Sequence, residues 1–288
     1  MRRATVPTGS VRPEHVCYAV GTVLILIGLA HLAGFLVFGG AWVGPVTWRK
    51  PFAFGVSFGI TTATLGWIST QVRLSTRRAW RLALLLVAAN TYEVIWVSVQ
   101  RARGVPSHFA RTSTLDAALF GIAGMAIAAT VLVIVALTIL SFRWPLAPPE
   151  MRLALRVGLL ILLASMATGG AMIRHGIAAV AAGEIELTTW GAAGVMKLPH
   201  AVGMHAIQVL PALAWLARRT RLDARRRLRA VSLACWGYAG LTAVSLLQTF
   251  GGLAPWDLRA SSAVLLLASL TLLAWPAFRV GAGLRQRA

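Results

Sequence analysis

The sequence predicts an all-α fold: a polytopic integral membrane protein with eight transmembrane helices, built as two pseudosymmetric, parallel four-helix units. Three observations carry this. Of 288 residues, 58% are hydrophobic and only 12% charged, against roughly 25% charged in a soluble domain. Apolar runs close to the ~20 residues that cross a bilayer recur along the chain. A shift of 148 residues lays 51–113 over 199–261 with 15 of 63 positions identical, where composition alone gives about 5. A soluble domain, a disordered tail and a disulfide scaffold are excluded. Two scattered cysteines, Cys17 and Cys235, read as small buried apolar residues.

The spans are expected near 16–39, 51–72, 80–100, 116–140, 153–174, 196–217, 230–250 and 260–278. Arg2, Arg3 and Arg12 precede an apolar run from Val16 to about Phe38. That run is too long for a signal-peptide core, so it is a retained first helix. Gly55 and Gly59 form a GxxxG on span 2, a signal for close packing within the fold or in a dimer. Ser113 and Asp116 read as a capping-box variant opening span 4. The loop from His175 to Trp190 is the longest and is expected to hold a short interfacial helix. Pro211 lies inside span 6, and Arg225-Arg226-Arg227 before span 7 reads as a topology anchor. The organisation is a cytoplasmic N-terminus (1–15), a first four-helix unit (16–141), a cytoplasmic linker (142–152), a second unit (153–278) and a cytoplasmic C-terminus (279–288).

The net charge of +20 is read as topology, with no nucleic-acid partner. One alternating set of loops and termini holds 20 of the 28 Lys and Arg residues. The positive-inside rule then puts both termini in the cytoplasm, facing anionic lipid headgroups. The bilayer is the first partner; a homo-oligomer or a larger membrane complex is the second.

The repeat aligns Pro51 with Pro199, Gly55 with Gly203, Trp67 with Trp215 and Gln100 with Gln248. It also shows where the halves differ: Ser57 against His205, Phe52 against His200, Glu93 against Leu241. Any chemistry is therefore asymmetric on a repeated frame.

An ionisable side chain inside a bilayer is a functional candidate by default. His31, Glu93 and His205 each lie about eight residues from the outer end of a span, ~12 Å deep. They are expected to share one layer in the extracytoplasmic half. On span 3, Asn90, Glu93, Val97 and Gln100 follow one helical face, which must look toward a partner or a cavity. On span 6, Lys197, His200, His205 and Gln208 fall within an arc of roughly 140°. Arg49, Lys50, Arg103, His108, Asp116, Arg174 and His175 mark the outer rim. Gln248 takes the position of Gln100 in the second half. The cytoplasmic halves are apolar apart from Thr61, Thr62 and Ser232, which favours a pocket open only outward.

The function expected is a membrane-embedded enzyme or a cofactor-binding protein, with transport of a small solute or a structural role in a complex as alternatives. As an enzyme, Glu93 and His205 are the acid–base candidates. As a haem b protein, His31 and His205 are the axial-ligand candidates, with Arg49, Lys197 and Arg174 pairing propionates and Asn90, Gln100, His200, Gln208 and Gln248 lining the pocket. His108, His200 and His205 are the candidate metal ligands, although His200 and His205 stand five residues apart, off the spacing that pairs ligands on a helix.

The strings Gln100…Arg103-Gly104…Ser107-His108-Phe109 and His200…Gly203…His205-Ala206…Gln208…Pro211 resemble those of bacterial multi-pass membrane proteins with no activity attached. That resemblance implies the bacterial cytoplasmic (inner) membrane. In topology the chain is similar to the haem A synthase family, which has two parallel four-helix units and an outward-facing site. The family places ligand histidines on the second and last helix of each half. Here span 2 carries Ser57, spans 4 and 8 lack histidine, and only His205 matches a ligand position.

Overall fold

Helix is what this composition must form, because backbone groups have no water to bond in a bilayer. The structure, a computed structural model, describes residues 11–109, 113–184 and 187–285. Arg2, Arg3 and Arg111 lie outside the described residues. Eight helices are long and apolar enough to span a membrane. They are α1 (Pro13–Phe38), α2 (Arg49–Ser69), α3 (Thr76–Ala102), α4 (Thr114–Arg143), α5 (Pro149–Ala181), α6 (Lys197–Ala217), α7 (Ala224–Phe250) and α8 (Ala260–Arg285). Two compact units divide within α4, at Ala136 and Leu137.

In the first unit, α1 packs along α2, and both pack on α3. The α1–α2 seam is glycine on glycine. A Cβ on Gly55 would lie 2.6 Å from the Gly28 backbone, and one on Gly28 would lie 2.8 Å from the Phe52 carbonyl. The GxxxG of span 2 is therefore used inside the unit. Asn90, buried on α3, donates to Thr62 on α2 (2.7 Å) and accepts from Thr130 on α4 (2.8 Å). One side chain thus ties three helices. Ser113 caps α4 as expected: its hydroxyl accepts from the Asp116 amide (3.1 Å) and donates to the Asp116 carboxylate (2.7 Å).

In the second unit, α5 packs on α6 and α7, α6 on α7, and α7 on α8. Gly203 of α6 meets Ser165 and Ile161 of α5, in the way Gly55 meets α1. Pro211 is buried and α6 continues through it. The expected interfacial helix after His175 is instead more of α5, which runs to Ala181. The sequence Ile177-Ala178-Ala179-Val180-Ala181 offers no breaker, and Gly183, at φ +78°, ends the helix in the left-handed region. A short antiparallel pair follows, β1 (Thr189–Trp190) and β2 (Gly194–Val195). His175 bonds the Thr189 carbonyl (2.8 Å), and Thr249 of α7 donates to the Val195 carbonyl (3.0 Å).

Element boundaries coincide at the same 148-residue shift. α2 and α6 begin at 49 and 197 and end at 69 and 217; α3 and α7 begin at 76 and 224 and end at 102 and 250. The caps also match. Ser75 accepts from the Arg78 amide, and Asp223 from the Arg226 amide. α3 and α7 end in the same turn, with Gly104 (φ +70°) and Gly252 (φ +68°) left-handed. Val105 and Leu253 then donate back to the Gln100 and Gln248 carbonyls, each at 3.0 Å.

Candidate functional site

Acidic residues are scarce: eight against 28 Lys and Arg. Among the described residues, three of them form ion pairs with arginine. Asp116 pairs with Arg103 (2.7 Å), and Asp223 with Arg226 (3.3 Å). Glu150, buried at the start of α5, faces Arg227 at 3.3 Å and Arg218 at 4.0 Å. Glu93 behaves otherwise. It is 1% exposed, in the middle of α3, and neither carboxylate oxygen has a hydrogen-bond partner.

The polar face expected on α3 is buried within the first unit: Asn90, Glu93, Val97 and Gln100 are each 1% exposed or less. Asn90 is satisfied by Thr62 and Thr130. Gln100 donates to Asp116 (3.1 Å) and accepts from Arg103, so with Ser113 they close the α3–α4 turn. Glu93 sits between two satisfied amides and is itself unsatisfied.

Above Glu93 on the same face of α3, Val97 and Arg101 line a small recess. The other walls come from the loop before α2 (Pro45, Val46, Thr47), the first turn of α2 (Lys50, Pro51) and the loop after α3 (Val105, Ser107). Lys50 lies within electrostatic reach of both Glu93 and His108. Arg101 stacks on Trp48, 4.0 Å from the ring centroid, and its buried Nε has no partner. Trp48 is fixed in turn by donating to the Gly39 carbonyl (2.9 Å).

His108 sits in a cage of Phe54, Phe109 and Phe120, each edge-on or tilted, with Ser107 Oγ 3.1 Å from its Nδ1. Burial, with the nearby Lys50 charge adding to it, pushes the imidazole down to about 3. His108 is therefore neutral at physiological pH. Phe109 adopts φ +67°, a strained backbone for a bulky residue.

The other expected site residues are placed as follows. His31 is half-buried; its Nε2 bonds Ser98 Oγ (3.0 Å) and its ring leans on Trp48. That bond uses the nitrogen an axial ligand would offer, so His31 as it stands does not fit haem. Arg49 and Lys197 are exposed at the starts of α2 and α6, and Arg174 is exposed within α5, seven residues before its end at Ala181. His200 bonds back to α5 through the Ser165 carbonyl (2.8 Å), while Ser165 donates to the His200 carbonyl (2.6 Å). His205 is exposed on α6 and bonds Gln208 (2.9 Å). Gln248 donates to the Ala254 and Asp257 carbonyls (3.1 and 2.9 Å) and closes the α7–α8 turn. His31 and Glu93 belong to the first unit and His205 to the second, so no single unit assembles the expected layer of three. Among the described residues no group of three His, Cys, Asp or Glu side chains is placed to hold a metal ion.

Ser98 and Glu150 are not legible as site residues in the sequence, and Arg101 and Ser107 are legible there only as part of a polar segment, 100–109. Glu150 had a signal: a lone acid beside an arginine-rich loop. Compared with known proteins, the chain matches no family model, no curated protein and no solved structure.

Proposed function

We propose that the protein is a membrane-embedded enzyme whose acid–base group is Glu93, reached through the recess of Lys50, Arg101 and Ser107 in the extracytoplasmic half of the first unit. One observation carries this: in a chain with 28 cationic side chains, a fully buried carboxyl has neither oxygen bonded. A buried carboxyl without a hydrogen bond costs on the order of 1–3 kcal/mol, so an evolved fold keeps one where it has a task. Glu93 supplies the proton-exchanging group, and Lys50 supplies positive charge for an anionic intermediate or headgroup.

The two units are copies of one repeat, lying parallel in a cytoplasmic membrane with both termini inside. The coincident boundaries, caps and closing turns support this. Leu241 fills the Glu93 position of the second copy, and Tyr238 the Asn90 position. The second copy keeps the frame and lacks the acid, so the chemistry belongs to the first.

Glu93→Leu and Glu93→Gln in the full-length protein test the reading. Removing an unbonded carboxyl should raise the unfolding temperature by roughly 2–6 °C. Cells producing wild type should show a membrane lipid or metabolite change that both variants lose. Lower unfolding temperatures in both variants would make Glu93 structural and sink the proposal.

A further inference from the structure

The arginine-rich end of the second unit holds more charge than the repeated frame needs. Arg73, Arg77, Arg78 and Arg81 recur as Arg221, Arg225, Arg226 and Arg229, and these four suffice to orient a helix pair. The second unit adds Arg218, Arg219 and Arg227 where the first has Thr70, Gln71 and Ala79. These three are not loose surface charges. Arg227 and Arg218 reach toward Glu150, which is 2% exposed. Arg219 lies flat over Trp215, 3.7 Å from the ring centroid, and that indole is 42% exposed.

A single carboxylate facing two guanidinium groups leaves a net positive notch. Arg218 is half exposed and has donors to spare, since a guanidinium carries five N–H groups and the Glu150 contact at 4.0 Å occupies at most one. The same end of this unit repeats the arginine-on-aromatic pairing at Arg156 over Phe142 (4.7 Å) and Arg279 over Trp275 (5.8 Å). Both rings are also exposed. An exposed ring beneath a guanidinium presents apolar surface to acyl chain and positive charge to a phosphate, the pairing found at membrane interfaces.

We propose that this end of the second unit binds an anionic phospholipid, with its phosphate on Arg218 and Arg219 and its acyl chain against Trp215. Glu150 acts as a positioning residue that holds Arg218 and Arg227 in place. Bidentate geometry makes arginine suited to a phosphate oxygen pair.

The test is thermal unfolding of the detergent-purified full-length protein, titrated with phosphatidylglycerol, phosphatidylcholine or glycerol phosphate. Phosphatidylglycerol should raise the unfolding temperature at concentrations where the other two do nothing. Each of Arg218→Gln and Arg219→Gln should weaken the apparent affinity about fivefold. Arg77→Gln and Arg78→Gln, at the orienting positions of the first unit, should leave it unchanged. Arg219 is exposed and stacks on Trp215, away from the buried Glu150, so Arg219→Gln carries the test if Arg218→Gln fails to accumulate. Equal effects of the two lipids would overturn the proposal, as would equal losses from first-unit and second-unit variants. A full response to glycerol phosphate would make the site one for a soluble anion and overturn the lipid assignment.

Discussion

Asn90 and Glu93 stand one turn apart on the same face of α3, yet one is bonded at both polar ends and the other at neither. Their spacing makes the shared face legible in sequence, because a polar stripe on a membrane helix must turn inward. Which member is a structural tie and which is left open depends on Thr62 and Thr130, and no periodicity reports those. His108 was legible only as a rim residue, since its cage comes from three separate segments, at Phe54, Phe109 and Phe120. The cage has a consequence for pH. The folded imidazole is held down to about 3, whereas an unfolded histidine titrates near ~6.5. As pH falls, the unfolded chain takes up the proton first. The stability this group contributes is therefore complete above pH ~6.5 and drains away between ~6.5 and ~3. At pH 5 the loss should reach at most ~2 kcal/mol. Thermal unfolding of wild type and His108→Gln at pH 7 and pH 5 checks this: the variant should lose less stability on acidification, and parallel curves would count against a buried neutral His108.

At the scale of elements, most helices were readable because apolar length is the signal and the bilayer sets it. The one boundary that differs most, the end of α5, has a physical cause. α5 outran its expected end because Arg174 and His175 look like a membrane exit, while helix continues as long as no breaker intervenes and the residues favour it. On α6 the polar residues Lys197, His200, His205 and Gln208 share an arc, but polarity alone does not mark the packed face. The face that packs is made of Gly203, Ala206, Ile207, Leu210 and Ala214, which lets α6 approach its neighbours closely, and His205 is left exposed. Small residues compete with polar ones for the inside of a membrane bundle, and here they prevail. The GxxxG of α2 was ambiguous between fold and dimer. Because a Cβ on Gly55 would lie 2.6 Å from the Gly28 backbone, Gly55→Ala must push α1 and α2 apart. The expected cost is ~1–3 kcal/mol, seen as a lower unfolding temperature with no change in oligomer size by light scattering. A variant of unchanged stability that dissociates an oligomer would assign the motif to a dimer interface instead.

At the scale of the whole molecule, charge is the most legible feature. With 20 of 28 cationic residues in alternate loops, the chain states its orientation before any contact is known. The proposed repeat gives each copy four spans, an even number, so that proposal has both copies enter the membrane in the same direction. The native chain suits a direct check, because both its cysteines, Cys17 and Cys235, are free and buried and should react slowly. Val43 lies between α1 and α2 and Trp256 between α7 and α8; they are 74% and 82% exposed. Thr76, at the start of α3, and Leu146, between α4 and α5, are exposed in the loops assigned to the cytoplasm. A membrane-impermeant maleimide added to intact cells should label Val43→Cys and Trp256→Cys, and should reach Thr76→Cys and Leu146→Cys only after the membrane is opened. Labelling at Val43 with protection at Trp256 would mean that the two units are inverted relative to one another. The recess at Lys50 and Arg101 would then keep its side while the arginine end of the second unit faced the opposite one. Labelling of Thr76 and Leu146 in intact cells, with Val43 and Trp256 both protected, would turn the whole chain over and put the recess at Lys50 and Arg101 on the cytoplasmic side, so that the proposed acid–base role of Glu93 would draw on a different pool of substrates.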